Sequence, residues 1–340
     1  MLLLSLLACG NLNKTGTTET QTETPVTCTA ATPGNYARLS PDFMLGIKVF
    51  TMESDLQSVS SAQQIKDMGL NSVSISFAIP YDELGNIQYP FNPYGEQYNS
   101  AEDALCKVGN LVHEMKEAGL AVYLSGEPHY YNPLDGEEPP PLTEFEDPAV
   151  IANYTEQLLP VMKSLAEMAE TYHVEYVAPI SEPDKYLGDA AADALMQSLP
   201  AQFSGYQGKL VWQVYGEMFR EPNTTPYRYN FRGYDSVGLA VLGCDSPRLD
   251  WDNYISAIRT WAQEDEIAEM MNVEFGCVSQ PQNESEAVSN LQYWYDMTND
   301  YSKGLIALDN PRSVPNAQSV RGTWLEDWLK SIAQSRGLIE

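Results

Sequence analysis

The sequence predicts a single (β/α)₈ TIM barrel, an α/β fold, on three observations. The chain has 340 residues, 43% of them hydrophobic, which is enough for one large core. From residue 43 onward, short β-rich runs alternate with longer segments of helical spacing. Eight such runs occur in one chain, and this alternation indicates a parallel sheet covered by helices and closed into a barrel.

The predicted strands and helices follow one another in regular order. The strands lie at about 43–50, 72–79, 120–125, 174–180, 209–215, 236–242, 270–275 and 303–308, and the helices at about 100–118, 148–172, 251–264, 284–298 and 323–335. Gly69 and Gly119 are typical of helices that end just before a strand. Residues 217–235 lack a helical pattern, so we expect a short or missing helix after the fifth strand.

Two other architectures fit an alternating pattern: a doubly wound open sheet and a two-lobed binding protein. The sequence has neither a glycine-rich dinucleotide fingerprint nor a phosphate-binding P-loop after any predicted strand. The single continuous alternation of predicted strands and helices also argues against two lobes. We therefore place one domain at residues 39–340.

The first nine residues, MLLLSLLAC, form an apolar run far shorter than the roughly 20 residues of a membrane span. Leu6-Leu7-Ala8-Cys9 resembles the lipobox of a bacterial lipoprotein signal, although no Lys or Arg precedes it. The resemblance implies lipidation of Cys9 and a lipid-anchored location in the bacterial cell envelope. The alternative is a disordered apolar tag. Residues 10–38 are rich in Thr, Asn and Gly, which predicts a disordered, flexible linker.

Five cysteines occur, and four remain if Cys9 carries lipid, an even number that suits disulfides in an exported chain. Cys244 and Cys277 follow strands six and seven, which are neighbours in a barrel, so their Cα atoms are expected within disulfide range. Cys28 is then expected to pair with Cys106 and pin the linker to the barrel. The cysteines and histidines show no metal-ligand spacing, so we predict no metal and no cofactor.

The formal net charge is −28, from 19 Lys and Arg against 47 Asp and Glu. Such a field repels phosphate backbones and anionic lipids, so nucleic acid is excluded as a partner and a polyanionic sugar polymer is disfavoured. The chain also has 21 Tyr, 6 Trp and 9 Phe. Aromatic rings suit stacking on sugars, although many of them belong to any core. We expect a monomer that binds a polysaccharide or oligosaccharide.

Two glutamates stand where the chemistry of a barrel is found, at the carboxyl ends of strands. The fourth strand ends in ISEPD (180–184) and the seventh in VEFGC (273–277). These motifs resemble the large clan of retaining glycoside hydrolases with (β/α)₈ barrels. The resemblance implies that Glu182 is the general acid/base and Glu274 the nucleophile. Retention requires two carboxyls about 5–5.5 Å apart, one protonated and the other ionised.

The third strand adds candidate substrate contacts. Residues 127–133, EPHYYNP, resemble the third-strand end of clan families that act on galactan and mannan, where a His-Tyr pair lines the sugar site. His129 and Tyr130 match that pair. Glu127 is the rival of Glu182 for the acid role, because both glutamates precede proline and follow a strand-like run; we prefer Glu182 because its strand is the fourth.

Other candidates for substrate binding are Ser181, Tyr215, Glu217 and Asp309, each at or after a predicted strand end. Three features depart from the clan pattern. The eighth strand ends in Leu308-Asp309-Asn310, without the aromatic that the clan often has there. Ser181 stands where the clan often has Asn, and the sequence shows no clear counterpart of an Arg that many members keep near the nucleophile.

The predicted function is therefore a retaining glycoside hydrolase, endo-acting on a neutral β-linked polysaccharide of mannan, galactan or glucan type. A second hypothesis is a non-catalytic glycan-binding surface lipoprotein that uses the same groove. A third is a solute-binding lipoprotein, which would need two lobes. Two carboxyls in one cleft would favour the enzyme.

Overall fold

A computed structural model describes residues 28–49, 60–91, 98–130, 142–145, 147–215, 227–244, 251–277, 279–309 and 318–339. Eight parallel strands close into a barrel in sequence order, with the last strand pairing with the first. The predicted (β/α)₈ architecture is therefore confirmed. The strands are β1 (Met44–Val49), β2 (Ser72–Tyr81), β3 (Ala121–Tyr130), β4 (Tyr176–Ala178), β5 (Lys209–Val214), β6 (Ser236–Val241), β7 (Glu269–Phe275) and β8 (Ser302–Asp309).

Helices connect most of the strands around the outside. They are α1 (Ala62–Asp67), α2 (Ala101–Glu117), α3 (Pro148–Thr171), α4 (Pro183–Leu187), α5 (Asp189–Ser198), α6 (Trp251–Glu264), α7 (Glu284–Thr298) and α8 (Trp324–Ser335). The five predicted helices are confirmed, whereas α1, α4 and α5 had not been predicted. Between β5 and β6, the described residues 227–235 contain no helix, as the missing pattern had indicated.

The barrel lumen has an apolar floor below a polar upper part. Along β1, Leu45, Ile47 and Val49 pack outward against the helices, while Met44 and Lys48 point inward. This alternation is the two-residue period of a strand. The apolar floor consists of Met44, Ala121, Tyr123, Tyr176, Ala178, Val211, Met271, Val273 and Ile306. The lumen is therefore closed at one end, and polar side chains gather at the carboxyl ends of the strands.

The segment before β1 runs along α2 and α3. The backbone N–H of Cys28 donates to Asp103 at 3.2 Å near the start of α2. Farther along, Arg38 donates to Glu170 at 2.7 Å, and the backbone N–H of Leu39 donates to Glu175 at 2.7 Å. Residues 28–38 of the predicted linker belong to this packed segment. The rest of the predicted linker, and Cys9, lie outside the described residues.

Both predicted disulfides are present. Cys28 bonds Cys106 with their Cα atoms 6.0 Å apart, and Cys244 bonds Cys277 with a Cα distance of 5.2 Å. Disulfides of this kind are typical of exported proteins. In the described part of the chain, no helix is long and apolar enough to cross a membrane.

The Cys28–Cys106 disulfide should stabilise the barrel without serving its site. It closes a loop of 78 residues, and the loss of chain entropy in the unfolded state corresponds to at most about 4.5 kcal/mol. We expect the Cys28→Ser/Cys106→Ser variant to lose about 2–4 kcal/mol of unfolding free energy in denaturant titrations. Reduced wild-type protein is the control and should lose a similar amount or more. An unchanged unfolding free energy would contradict a stabilising role for this disulfide.

Candidate active site

A buried lysine brings two carboxylates together in the upper lumen. Lys48 of β1 donates through Nζ to Glu127 Oε1 of β3 and to Glu274 Oε1 of β7. The Lys48 side chain is only 1% exposed, and the side chains of Glu127 and Glu274 are 10% and 9% exposed. Because an ammonium out of water is costly unless it is paired, the lysine is held where both carboxylates can reach it.

A bulge in β7 turns Glu274 into the lumen. Asn272 points outward, where its Nδ2 donates to Thr298 Oγ1 of α7 at 2.8 Å. Strict alternation would place Glu274 on this same outer face. The register with β6 shifts by one residue, so that Leu239 pairs with Asn272 but Ala240 pairs with Glu274. A bulge of this kind re-aims a side chain, and here it delivers the carboxylate to the site.

Glu274 Oε1 accepts two further hydrogen bonds. Gln213 of β5 donates through Nε2 at 2.8 Å, and Ser181 donates through Oγ at 3.3 Å. The Gln213 amide is oriented by Tyr123, whose hydroxyl donates to Gln213 Oε1 at 2.9 Å. Together with Lys48, these donors fix the direction of the carboxylate.

Glu182 follows β4 and enters the same region from a left-handed backbone conformation. Its φ is 47° and its ψ 50°, a region that costs a non-glycine residue free energy. Its carboxyl is buried, and no described residue donates to Oε1. Strained backbone and an unsatisfied buried carboxyl are both features of functional sites rather than of stable cores.

Asp184, at the start of α4, holds the turn that carries Glu182. Asp184 accepts a hydrogen bond from the backbone N–H of Tyr215 at 3.0 Å and another from the Tyr229 hydroxyl at 3.0 Å. These contacts tie the start of α4 to the end of β5 and to the segment before β6. The conformation of Glu182 is therefore imposed by its surroundings, as a strained residue requires.

Burial raises the pKa of both glutamates that flank Glu274, and most strongly that of Glu182. Burial raises the pKa of Glu182 well above its usual range, and the charge of Glu274 raises it further, while Lys185 and Lys48 oppose the shift. Burial also raises the pKa of Glu127, against the opposing charge of Lys48. Like charges in a buried lumen oppose one another's ionisation, so both shifts favour the protonated forms.

The predicted His-Tyr pair lies at the end of β3. His129 is buried, with its ring edge-on to Phe91 at 5.2 Å, and its Nδ1 lies 3.3 Å from the Tyr130 carbonyl oxygen. Burial lowers the pKa of His129 to about 4, so the ring is neutral at pH 7. A neutral imidazole can exchange hydrogen bonds with hydroxyl groups.

The other residues predicted to bind substrate lie in different parts of the structure. Ser181 contacts Glu274, as described above. Tyr215 lies at the end of β5 with the Lys185 ammonium 5.4 Å from its ring centroid. Asp309 accepts a hydrogen bond from the backbone N–H of Val320 at 2.7 Å, and so holds the segment before α8. Glu217 lies outside the described residues.

Three polar residues of the site had escaped the sequence analysis: Lys48, Gln213 and Tyr123. Each occupies an inward-facing strand position, and the residues before and after it in sequence are apolar. A lysine within the run LGIKVF is the clearest signal, because a charged residue inside a buried strand needs a partner. Among the described residues, no group of His, Cys, Asp and Glu side chains could hold a metal ion.

No protein-family model and no curated protein matches the chain in sequence. Solved structures do match its fold. A GH113 β-mannanase from Alicyclobacillus acidocaldarius has a TM-score of 0.60 at 15% identity, covering 88% of this chain and 99% of that one. An endo-1,4-β-D-mannanase from Thermotoga petrophila has a TM-score of 0.57 at 10% identity, covering 86% and 99%.

A third similar structure is a β-glucuronidase from Ruminococcus gnavus, with a TM-score of 0.56 at 10% identity, covering 86% of this chain and 50% of that one. At these identities the likeness concerns the barrel fold. It agrees with the closed strand order described above.

Glu182 should destabilise the folded protein above acidic pH. Its pKa is raised on folding, so its own contribution to stability falls as pH rises from the unfolded value, about 4.3, through the folded value. Glu182→Gln carries no charge and escapes this loss. We expect its unfolding free energy to exceed that of the wild type by an amount that grows with pH and reaches about 0.5–2 kcal/mol.

Denaturant unfolding at several pH values between about 4 and 8 measures this difference, with Glu156→Gln on the exposed face of α3 as the matched control. The control should change stability little at any pH. A Glu182→Gln variant that is less stable than the wild type throughout the range would refute the electrostatic description of the site.

Proposed function

We propose that the protein is a retaining glycoside hydrolase in which Glu182 is the general acid/base and Glu274 the nucleophile. The observation that carries this proposal is the contrast between two carboxyls of one lumen. Glu274 Oε1 receives Lys48, Gln213 and Ser181, whereas Glu182 Oε1 is buried without a described donor. Two carboxyls in such contrasting environments suit the two different roles of double displacement.

The reaction would proceed in two steps. In the first, a Glu274 oxygen attacks the anomeric carbon while the Glu182 O–H gives its proton to the departing glycosidic oxygen, leaving a glycosyl ester on Glu274. In the second, Glu182 takes a proton from water, whose oxygen attacks the anomeric carbon. The ester bond breaks, Glu274 is released as a carboxylate, and the sugar leaves with its original anomeric configuration.

Glu127 is less suited than Glu182 to donate a proton. Its Oε1 accepts hydrogen bonds from Lys48 and, at 3.1 Å, from Ser125 Oγ. Both donors favour the charged form of the carboxyl that accepts them. We therefore assign the acid role to Glu182 and leave Glu127 as a partner of the lysine.

The proposed substrate is a neutral β-linked polysaccharide, cut internally. Three glutamates share the lumen, and the lysine among them is already paired with two. With a formal net charge of −28 added, an anionic sugar would be repelled. Similar structures that the chain spans almost fully are mannanases, which supports a mannan-type substrate over a glucuronide; galactan and glucan remain in the class.

We also propose that the protein is anchored to the bacterial cell envelope through a lipid on Cys9. The lipobox-like Leu6-Leu7-Ala8-Cys9 and the two disulfides support this location. We expect Cys9→Ser to move the protein from the detergent phase to the aqueous phase in Triton X-114 partition. Equal partition of variant and wild type would contradict anchoring at this residue.

Replacing each of the two proposed catalytic residues should reduce activity in a different way. Glu274→Ala should lose nearly all activity, and azide should restore part of it as a product of inverted configuration, because the small anion attacks in place of the missing carboxylate. Glu182→Ala should lose about 10²–10⁴-fold on a polysaccharide but much less on an activated aryl glycoside, whose leaving group needs no proton. Initial rates on both substrate types and product NMR measure these effects.

Glu269→Gln is the matched control, because this residue begins the same strand and pairs with Lys209 at the opposite end of the barrel. It should keep wild-type activity. If Glu274→Ala and Glu182→Ala both cut the polysaccharide at the wild-type rate, the assignment is wrong. If the wild type binds but cuts none of a panel of neutral β-glycans, the non-catalytic glycan-binding protein is the better description.

A further inference from the structure

We infer that Lys48 is the positioning residue that aims the Glu274 carboxylate and compensates its charge, and that Glu127 acts as the second anchor that fixes the lysine. The inference rests on the proposed function of Glu274. It assigns a role to an ion pair of β1, β3 and β7 that the two-step reaction itself does not use.

The geometry gives the lysine one position. Nζ is fully enclosed and donates to one oxygen of each carboxylate, on opposite strands of the lumen. A long flexible side chain with a single partner could swing with that partner. Two partners on β3 and β7 define the ammonium position from two directions, and Glu274 is then aimed by a fixed charge rather than a mobile one.

The charges around Glu274 make the lysine necessary. The titratable groups that face it are Lys48, Glu127 and Tyr123 from β1 and β3, and Glu182 from the start of α4, with Lys185 beyond Glu182. Burial and the charges of the surrounding glutamates raise the pKa of Tyr123, so its hydroxyl stays neutral. Without Lys48, the nearest neighbours of the Glu274 charge would be neutral or negative.

The chain contains a second buried pair that resembles this one but lies away from the proposed site. Lys116 of α2 donates to Glu175, the residue before β4, and both side chains are 1% exposed. Glu175 also accepts from the backbone N–H groups of Leu39 and Val122, at 2.7 Å each. This pair holds the segment before β1 in place, and it provides a control for the general cost of breaking a buried ion pair.

The first test is the pH profile of kcat/KM in two variants. Lys48→Met removes the positive charge and should move the acidic limb to higher pH, because the nucleophile then ionises less readily. Glu127→Gln removes a competing negative charge and should move the same limb to lower pH, because Lys48 then pairs with Glu274 alone. A general loss of packing would not move the limb in opposite directions.

Three further measurements separate positioning from folding. Lys48→Met should lower kcat by at least tenfold with little change in KM, and Lys48→Arg should restore part of kcat and return the acidic limb toward the wild-type position. Lys116→Met should lose stability yet leave the pH profile in place. If Lys48→Met keeps the wild-type profile on an enzyme that is active, the inference fails while the proposed function stands.

The last measurement needs no activity. Burial raises the pKa of Glu127, and the same lumen holds Glu274. In Lys48→Met both carboxyls lose their counter-ion, so their protonated forms are favoured in the folded state. The free energy of unfolding that Lys48→Met loses relative to the wild type should therefore increase as pH rises from about 4 to 7.

The double variant Lys48→Met/Glu127→Gln should recover part of this loss, because one of the two uncompensated charges is gone. A loss that does not change with pH, or that the second substitution does not relieve, would overturn the inference even if no glycan is cleaved. Absence of cleavage by the wild type would instead refute the proposed function, so the two failures can be told apart.

Discussion

The contact between the Lys48 ammonium and the carboxylates of Glu127 and Glu274 is the interaction on which the upper lumen depends. Three buried glutamates converge there above an apolar floor. A cluster of this kind is tolerable only if one charge is compensated and another is removed by protonation. The lysine supplies the first condition, and the burial of Glu182 supplies the second. The proposed roles of Glu182 as acid and Glu274 as nucleophile rest on these two conditions together.

The barrel makes this arrangement possible by two local departures from regular geometry. The bulge in β7 turns Glu274 from the helix side to the lumen, and the left-handed backbone at Glu182 directs the second carboxyl into the same region. Each costs stability, and each is held by packing and hydrogen bonds of the surrounding elements. Regular strands alone would have left at least one of the two carboxyls facing the helices.

The sequence allowed prediction of the strand order, the five long helices and both disulfides, because hydrophobic periodicity and chain order determine these features. It also indicated which two strand ends carry the glutamates. It could not predict the bulge, since the alternation around Asn272 places Glu274 on the outer face. Nor could it pair Lys48 with residues 79 and 226 positions away. Contacts across a closed barrel depend on register, which a single sequence does not specify.

The most direct test of the account is to identify the carboxylate that becomes covalently attached to sugar. Incubation with activated 2-deoxy-2-fluoro glycosides of manno, gluco and galacto configuration should slow release of the glycosyl group enough for peptide mass spectrometry. We predict a single adduct, on the peptide that contains Glu274. An adduct on Glu127 or Glu182 would contradict it.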